Sequence, residues 1–220
     1  IYSALVKTTT NSKYTGNGGN STATIGHGLS STPEWILLKF LDVSGNWTVY
    51  HKSLGNTARL SINSNSPSDT SSSYFNNTSP TSSVFTVGSS FNQTTVYDYV
   101  AYCWHSVDGF SKFGSYEGNA SADGTFVYTG FKPAFLMIKD IDNTRSWVIT
   151  DTTRDPFNPT DKGLIADLNV AEGTGYTLDH LSNGFKLRLT GTAYNTSTEN
   201  YIYMAFAEHP FVGDGTSPVT

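Results

Sequence analysis

Charged residues are scarce in this sequence. Only 14% of its 220 residues are Asp, Glu, Lys or Arg, against roughly 25% in an average soluble domain. The 13 Lys and Arg residues are scattered and are outnumbered by 18 Asp and Glu residues, so the formal net charge is −5. Nucleic-acid binding needs clustered basic side chains, and this composition argues against such a surface. The polar surface must instead come from Ser, Thr, Asn and Gly, which is typical of extracellular and virion β-proteins.

Cysteine and long apolar runs are also scarce. Cys103 is the only cysteine, which excludes an intrachain disulfide. Its place in the aromatic stretch 99–104 predicts a buried, unreactive thiol. No apolar run approaches the roughly 18 residues of a membrane span, and no signal peptide is recognisable. We interpret the chain, which starts at Ile1 rather than Met, as a processed or excised piece of a longer polypeptide.

Aromatic residues, in contrast, are plentiful, with 13 Tyr, 13 Phe and 4 Trp. They gather with Val, Ile and Thr in short runs separated by Gly, Asn, Asp, Ser and Pro, which is the pattern of β-strands joined by turns. The apolar runs at 35–41 and 135–139 predict central strands. Each is followed, after a turn-rich gap, by a strand that begins at Trp47 or Trp147, so each pair predicts a hairpin.

The sequence is duplicated. Five blocks of one half match five blocks of the other in the same order, four at an offset near 100 and the last at 104. The matches are 14–17 with 116–119, 32–39 with 132–139, 46–49 with 146–149, 85–87 with 185–187, and 99–105 with 203–209. Chance similarity would not preserve this order. We therefore expect a lead-in at 1–11, repeat one at 12–106, a linker at 107–111, repeat two at 112–210 and a tail at 211–220.

A duplicated unit of about 95 residues made of short strands predicts an all-β fold with two tandem β-sandwich, jelly-roll-like repeats. Separate lobes are preferred, and one larger shared sandwich stays open as the alternative. We expect 63–83 to be a long exposed loop and 151–175 to be its counterpart, with a short helical turn at 161–168. The expected core of the repeats is Trp35, Trp47, Phe85, Tyr99, Phe135, Trp147, Phe185 and Tyr203.

The repeat resembles a known group of proteins. The segments that carry the resemblance are Tyr-Thr-Gly-Asn-Gly at 14–18, Gly-Leu-Ser-Ser-Thr-Pro-Glu-Trp-Ile-Leu-Leu-Lys at 28–39, Asn-Trp-Thr-Val-Tyr at 46–50, 99–105 and 126–135. They are similar to repeats in virion structural and tail fibre proteins of tailed bacteriophages of the marine podovirus or cyanophage type. The resemblance covers about 12–210. It implies a role on the virion surface or in a fibre, and it implies no catalytic residues.

Polar residues that could form metal sites lack the necessary spacing. The histidines, which show neither a His-x-His nor a His-Glu-x-x-His pattern, are expected to be structural or to lie on the surface; they are His27, His51, His105, His180 and His209. We expect His105 and His209 to occupy equivalent positions. The run 140–143 lacks the Gly and Glu of a calcium loop and predicts a hairpin turn. Several Asn-x-Ser/Thr triplets, among them those at Asn20, Asn46, Asn92, Asn119 and Asn195, are attributed to chance.

The densest acidic patch is the one place where the sequence could hold an enzyme. It comprises Asp151, Asp155, Asp161, Asp167 and Glu172. Paired carboxylates hydrolyse glycosides when their separation is suitable, but a solvated loop in which Arg154 pairs with a neighbouring carboxylate is the preferred interpretation. The sequence therefore predicts no catalytic, cofactor-binding or metal-binding residue.

The resemblance implies a non-enzymatic bacteriophage virion protein, extracellular on the particle surface, in a tail fibre or another appendage. Expected partners are other virion proteins, copies of the chain itself in a homo-oligomer (a trimer by analogy with phage fibres) and host-surface glycan. Neither nucleic acid nor membrane insertion is expected. A capsid decoration or head-fibre protein is the first alternative. A glycan depolymerase using the acidic patch is the second, and a soluble lectin is the third.

Overall fold

The computed structural model describes residues 9–191 and 194–210, so most of the expected lead-in and the whole expected tail lie outside the described residues. Nearly all of the regular structure is antiparallel β-strand, which confirms the predicted all-β class. In the described part of the chain, no helix is long and apolar enough to cross a membrane.

The described residues divide into two compact units. The first unit comprises 9–63 and 68–105, and the second comprises 64–67, 106–191 and 194–210. The first unit thus holds repeat one without the short segment 64–67, and the second holds repeat two. The expected linker at 107–111 is a turn closed by a β-bridge between Val107 and Ser111.

The first unit packs a large sheet against a small one. Its elements are β1 (Thr9–Thr15), β2 (Ala23–Gly26), β3 (Trp35–Phe40), β4 (Thr48–His51), β5 (Ala58–Ser61), β6 (Asp69–Thr70), α1 (Ser72–Phe75), β7 (Val84–Val87) and β8 (Asp98–Trp104). The large sheet has the order β1-β8-β3-β4-β5-β6, and β2 pairs with β7. Side chains of both sheets meet in one core, which includes Ile36, Tyr99 and Phe85.

The second unit is built in the same way. Its strands are β9 (Ser111–Glu117), β10 (Phe126–Tyr128), β11 (Pro133–Asp140), β12 (Val148–Asp151), β13 (Leu164–Ile165), β14 (Leu178–Leu181), β15 (Gly184–Leu187) and β16 (Asn200–Ala207). The sheets have the orders β13-β12-β11-β16-β9 and β10-β15-β14. Leu136, Tyr201 and Phe185 are among the residues of the two sheets that form its core.

The two units share one topology. In the large sheets, β1-β8-β3-β4-β5 corresponds to β9-β16-β11-β12-β13, and in the small sheets β2-β7 corresponds to β10-β15. The same order of neighbours in both units is what a duplicated sequence predicts.

Strand pairing corrects the last block of the sequence alignment. Tyr99 lies opposite Tyr14, and Tyr201 lies opposite Tyr116. The counterpart of Tyr99 is therefore Tyr201, at an offset of 201 − 99 = 102, and the predicted match with Tyr203 at an offset of 104 is wrong. A slip of two residues leaves every side chain on the same face of a strand, so the alternating aromatic pattern fits both offsets equally well.

Both expected loops contain regular structure. The stretch 63–83 includes β6 and α1, and Phe75 of α1 is buried in the core of its unit, so this stretch is not simply an exposed loop. The stretch 161–168 contains β13, which pairs with β12, rather than a helical turn. A single buried ring or a two-residue strand gives no periodic signal in a Ser- and Asp-rich sequence.

The residues expected in the core differ in burial. The structure buries six of them, namely Trp35, Phe85, Tyr99, Trp147, Phe185 and Tyr203. Trp47 and Phe135, in contrast, are half-buried. The alternation of a strand assigns a side chain to a face, but it does not tell how completely that face is covered.

The matching tryptophans keep the same backbone surroundings. The Trp47 N–H donates to Asn63 Oδ1 at 2.9 Å, and the Trp147 N–H donates to Asp167 Oδ1 at 2.8 Å. The ring of Trp147 is fully buried, whereas that of Trp47 is not. The expectation that both rings are buried in equivalent cores is therefore wrong for Trp47.

Candidate functional site

Two exposed aromatic rings lie side by side on strand β10. Strand alternation places Val127 in the core and turns its neighbours, Phe126 and Tyr128, to the opposite side of the sheet. There Phe126 is 45% exposed and Tyr128 is 63% exposed. Aromatic rings usually supply much of the area that a core buries. Two rings exposed on a regular strand therefore indicate a surface available for contact.

Strand β15 extends this surface. Phe126 pairs with Lys186 and Tyr128 pairs with Gly184, and directly paired residues project from the same side of a sheet. A side chain at position 184 is excluded, because its Cβ would lie 2.1 Å from the carbonyl oxygen of Val127. We call the surface formed by Phe126, Tyr128, Gly184 and Lys186 the β10–β15 face.

Ion pairs border the β10–β15 face. Asp123 Oδ1 lies 2.5 Å from Lys186 Nζ and 3.5 Å from Arg188 Nη1. Arg188 Nε also donates to Asp179 Oδ2 at 2.6 Å. The hydrogen bond from Lys186 lowers the pKa of Asp123. Because two cations and two carboxylates cancel, the border is rich in hydrogen-bonding groups but electrically neutral.

Repeat one presents a different surface at the same place. Phe126, Tyr128 and Lys186 correspond to Thr24, Gly26 and Thr86, since Thr24 pairs with Thr86 as Phe126 pairs with Lys186. The exposed rings are thus a property of repeat two alone, on a framework that both repeats share. No signal within repeat two reveals this face, but an alignment of the repeats does, by setting two large rings against Thr and Gly.

A shallow groove of about 480 Å³ lies elsewhere in the same unit. Its lining includes Arg145, Val148, Ile165, Leu168, Val170 and Tyr176. Leu168 and Val170 are about half exposed, at 51% and 55%. The groove lies partly in the stretch 151–175, where the sequence predicts a recognition loop, and it combines apolar side chains with one guanidinium.

The acidic patch stabilises its own loop. Arg154 donates from Nε to Asp151 Oδ2 at 2.5 Å and from Nη1 to Glu172 Oε2 at 2.6 Å, so the predicted pairing of Arg154 with a carboxylate is confirmed. Burial opposes ionisation of Asp151, but the hydrogen bonds from Arg154 prevail and lower the pKa of this carboxyl.

The remaining carboxylates of the patch accept backbone hydrogen bonds. Asp155 Oδ2 accepts from the N–H groups of Asp161 and Lys162, which lowers the pKa of Asp155. Asp161 Oδ1 accepts from the N–H of Gly175 at 2.8 Å. A general acid of a glycosidase needs a raised pKa, and the shifts of Asp151 and Asp155 have the opposite direction.

A second carboxyl pair, which the sequence analysis missed, lies at the end of β11. Asp140 is fully buried, and its Oδ1 accepts from the N–H groups of Asp142 and Asn143, which confirms the predicted turn. Burial and a hydrogen bond with Glu199 raise the pKa of Asp140. Glu199 Oε2 also accepts from the Tyr201 hydroxyl at 3.0 Å. Despite partial burial, the hydrogen bonds from Asp140 and Tyr201 lower the pKa of Glu199, so the pKa values of the two carboxyls shift in opposite directions.

Repeat one holds aromatic rings at the place of this carboxyl pair. Phe40 and Tyr97 meet there with ring centroids 6.0 Å apart, at the positions of Asp140 and Glu199. Arg145, whose Nε lies 3.9 Å from Asp140 Oδ2, replaces Gly45, whose added Cβ would lie 3.0 Å from the Phe40 ring. The three exchanges form one coordinated change from an apolar to a polar cluster. An alignment of the last block at the offset of 102 sets Glu199 against Tyr97 and so reveals this change.

Lys139, one residue earlier, is a further buried charge of repeat two. It is fully buried, and its Nζ donates to the carbonyl oxygens of Asp140 at 2.5 Å and Asn65 at 3.3 Å. Burial lowers its pKa to about 8. Its counterpart Lys39 is only half-buried, so the two repeats differ again at a position where the sequence matches.

Cys103 and four of the five histidines are buried. Cys103 is buried, which confirms the predicted burial of this thiol, and burial raises its pKa to about 12. Burial also lowers the pKa of His27 and His180. The corrected offset of 102 separates His105 from His209, which are therefore not equivalent. Among the described residues, no three His, Cys, Asp or Glu side chains are grouped so that they could hold a metal ion.

Comparison with known proteins gives a family and no named relative. No curated protein and no solved structure matches the chain significantly. One family model spans both repeats. That model describes a domain of unknown function, DUF7483, and because it matches residues 10–210, the chain belongs to the DUF7483 family.

Proposed function

We propose that the chain is a non-enzymatic structural module of a bacteriophage particle. In this proposal it is carried on the particle surface, in a tail fibre or another appendage, and contacts the host surface or neighbouring virion proteins. The resemblance of about 12–210 to repeats of phage virion proteins supports the assignment to a phage. The low charge and the Ser-, Thr- and Asn-rich composition support an extracellular position.

One observation carries the proposed contact role. The two repeats keep the same strand order, while the β10–β15 face replaces the Thr24, Gly26 and Thr86 of repeat one with two exposed rings and a lysine. An unchanged framework with a changed surface is the pattern expected when one copy acquires a partner. The expected partners are other virion proteins, further copies of the chain in a homo-oligomer, and a host-surface glycan.

Immunogold labelling of intact particles tests this proposal. An antibody raised against the 220-residue chain should label the surface of purified particles of the phage that encodes it, and should reduce adsorption to host cells. Label on the tail supports the fibre assignment, and label on the capsid supports the decoration or head-fibre alternative. Particles that lack the chain by mass spectrometry would overturn the proposal.

A further inference from the structure

The β10–β15 face has three features that together indicate a ligand. The exposed rings of Phe126 and Tyr128 stand on the same side of one strand. Residues two apart on a strand are roughly 7 Å apart, so the rings form an elongated surface rather than a single point. The strand pairs with β15 and β15 with β14, which fixes the backbone that carries both rings.

We propose that the β10–β15 face binds a neutral oligosaccharide, with successive sugar rings stacked on Phe126 and Tyr128. The face of an aromatic ring carries partial negative charge and attracts the C–H groups of an apolar sugar face. Asp123 can accept hydrogen bonds from sugar hydroxyls, and the Lys186 ammonium can donate them. This inference rests on the proposed function, for which it names a ligand class and a site.

The charges on the border favour an uncharged ligand. Asp123, whose side chain is 81% exposed, would repel the carboxylate of an acidic sugar. A cationic sugar would meet the Lys186 ammonium and the Arg188 guanidinium, which carry the same sign of charge. Both cations already pair with carboxylates, Lys186 with Asp123 and Arg188 with Asp179. Hydroxyl groups, in contrast, can be bonded by both signs without breaking the ion pairs.

Repeat one provides an internal comparison. Its framework places Thr24 and Gly26 where repeat two places the rings. A threonine and a glycine offer no stacking surface, so only one site per chain is expected. An exposed ring outside the face, Phe157 at 80% exposure, supplies a matched control for a non-specific effect of aromatic surface.

Binding is measured with cellohexaose, maltohexaose, mannohexaose and chitohexaose as neutral probes and with hexagalacturonate as an acidic probe. Isothermal titration of the full chain should show binding to at least one neutral probe with a stoichiometry of one, and weaker binding to hexagalacturonate. Phe126→Ala and Tyr128→Ala should each weaken that binding about tenfold. Phe157→Ala should leave it unchanged. Because all three rings are exposed, the melting temperatures should stay within about 2 °C of the wild type.

Three outcomes would overturn the site. The first is that the chain binds none of the neutral probes. The second is that the Phe126→Ala and Tyr128→Ala double variant binds a neutral probe as tightly as the wild type does. The third is that the chain binds hexagalacturonate more tightly than it binds the neutral probes. If the double variant instead loses self-association in sedimentation velocity while glycan binding is absent, the face is a contact between copies. A chain that binds through this face but is missing from the particle would overturn only the proposed function. A chain on the particle with no such binding would overturn only this site.

Discussion

Asn92 and Asn195 occupy the same position in the two repeats and form the same pair of hydrogen bonds. Asn92 Oδ1 accepts from the Asn17 N–H at 2.9 Å, and its Nδ2 donates to the Ser21 carbonyl at 3.0 Å. Asn195 repeats both bonds with Asn119 at 3.0 Å and with a serine carbonyl at 2.9 Å. Both asparagines are fully buried, so each amide supplies hydrogen-bond partners that water cannot reach.

Truncation of either amide should be destabilising. Asn195→Ala leaves the Asn119 N–H and the Ser121 and Leu189 carbonyl groups without this partner, which should lower the free energy of unfolding by about 2–4 kcal/mol. Asn92→Ala should act similarly in the first unit. Urea denaturation measures both effects, and Asn11→Ala, at an exposed strand position, is the control expected within about 0.5 kcal/mol of the wild type. Equal effects of all three substitutions would argue against a structural role for the buried amides.

The opposite pKa shifts of Asp140 and Glu199 should make the stability of the second unit depend on pH. The folded-state pKa of Asp140 is raised, so its stabilising contribution is complete below the unfolded pKa of about 4. That contribution is lost as pH rises through the folded pKa, because a second charge then forms beside Glu199. Glu199, whose pKa is lowered, contributes in the opposite sense and loses its stabilisation as pH falls.

Asp140→Asn isolates the first of these effects. An amide keeps the acceptor for the turn N–H groups and can donate to Glu199, but it does not titrate. Chemical denaturation at a series of pH values should show a smaller decline above pH 4 for Asp140→Asn than for the wild type. The neighbouring Arg145 and Tyr201 side chains are the same in the variant and the wild type, so their titration cancels in the comparison. Superimposable pH profiles would contradict the raised pKa of Asp140.

Exchange of the whole polar cluster of Asp140, Arg145 and Glu199 for the residues of repeat one should be tolerated. A triple variant, Asp140→Phe, Glu199→Tyr and Arg145→Gly, installs the residues that repeat one has at Phe40, Tyr97 and Gly45. Replacement of a buried polar cluster by well-packed rings is often neutral or stabilising by about 1–4 kcal/mol. Thermal melts should show a folded protein of equal or greater stability, and Asp140→Phe alone serves as the mismatched control. A triple variant that unfolds while Asp140→Phe is folded would contradict the equivalence of the two positions.

The two tryptophans should differ in their contribution to stability. Trp147 is fully buried, so Trp147→Ala should cost about 3–5 kcal/mol. Trp47 is only half-buried, so Trp47→Ala should cost clearly less. Paired thermal melts measure the difference. A melting temperature of Trp147→Ala equal to that of the wild type would disprove its placement.

The acidic patch should not support hydrolysis. Asp151 and Asp155 stay ionised in the folded chain because hydrogen bonds lower the pKa of both carboxyls, so neither can serve as a general acid near neutral pH. Incubation with host polysaccharide should release no new reducing ends. Release of oligosaccharide that disappears in Asp151→Asn or Asp155→Asn would show that the chain is a depolymerase.

The sequence predicts the duplication from five blocks that match in the same order, and it predicts the strands around Trp35 and Leu136 from continuous apolar runs. It matches Tyr99 with Tyr203 instead of Tyr201, because strand periodicity cannot detect a slip of two residues. Asn92 and Asn195 fall in abundant Asn-x-Ser/Thr triplets, so their burial leaves no local signal. The exposed rings of Phe126 and Tyr128 look like ordinary strand aromatics until the pairing with β15 assigns their face.

A cryo-electron microscopy reconstruction of the phage particle tests the central proposal most directly. The account predicts density at the particle surface that fits two β-sandwiches of the same topology per chain, with Phe126 and Tyr128 facing solvent. A particle whose surface density leaves no place for this chain, with the protein absent from every structural layer, would contradict it.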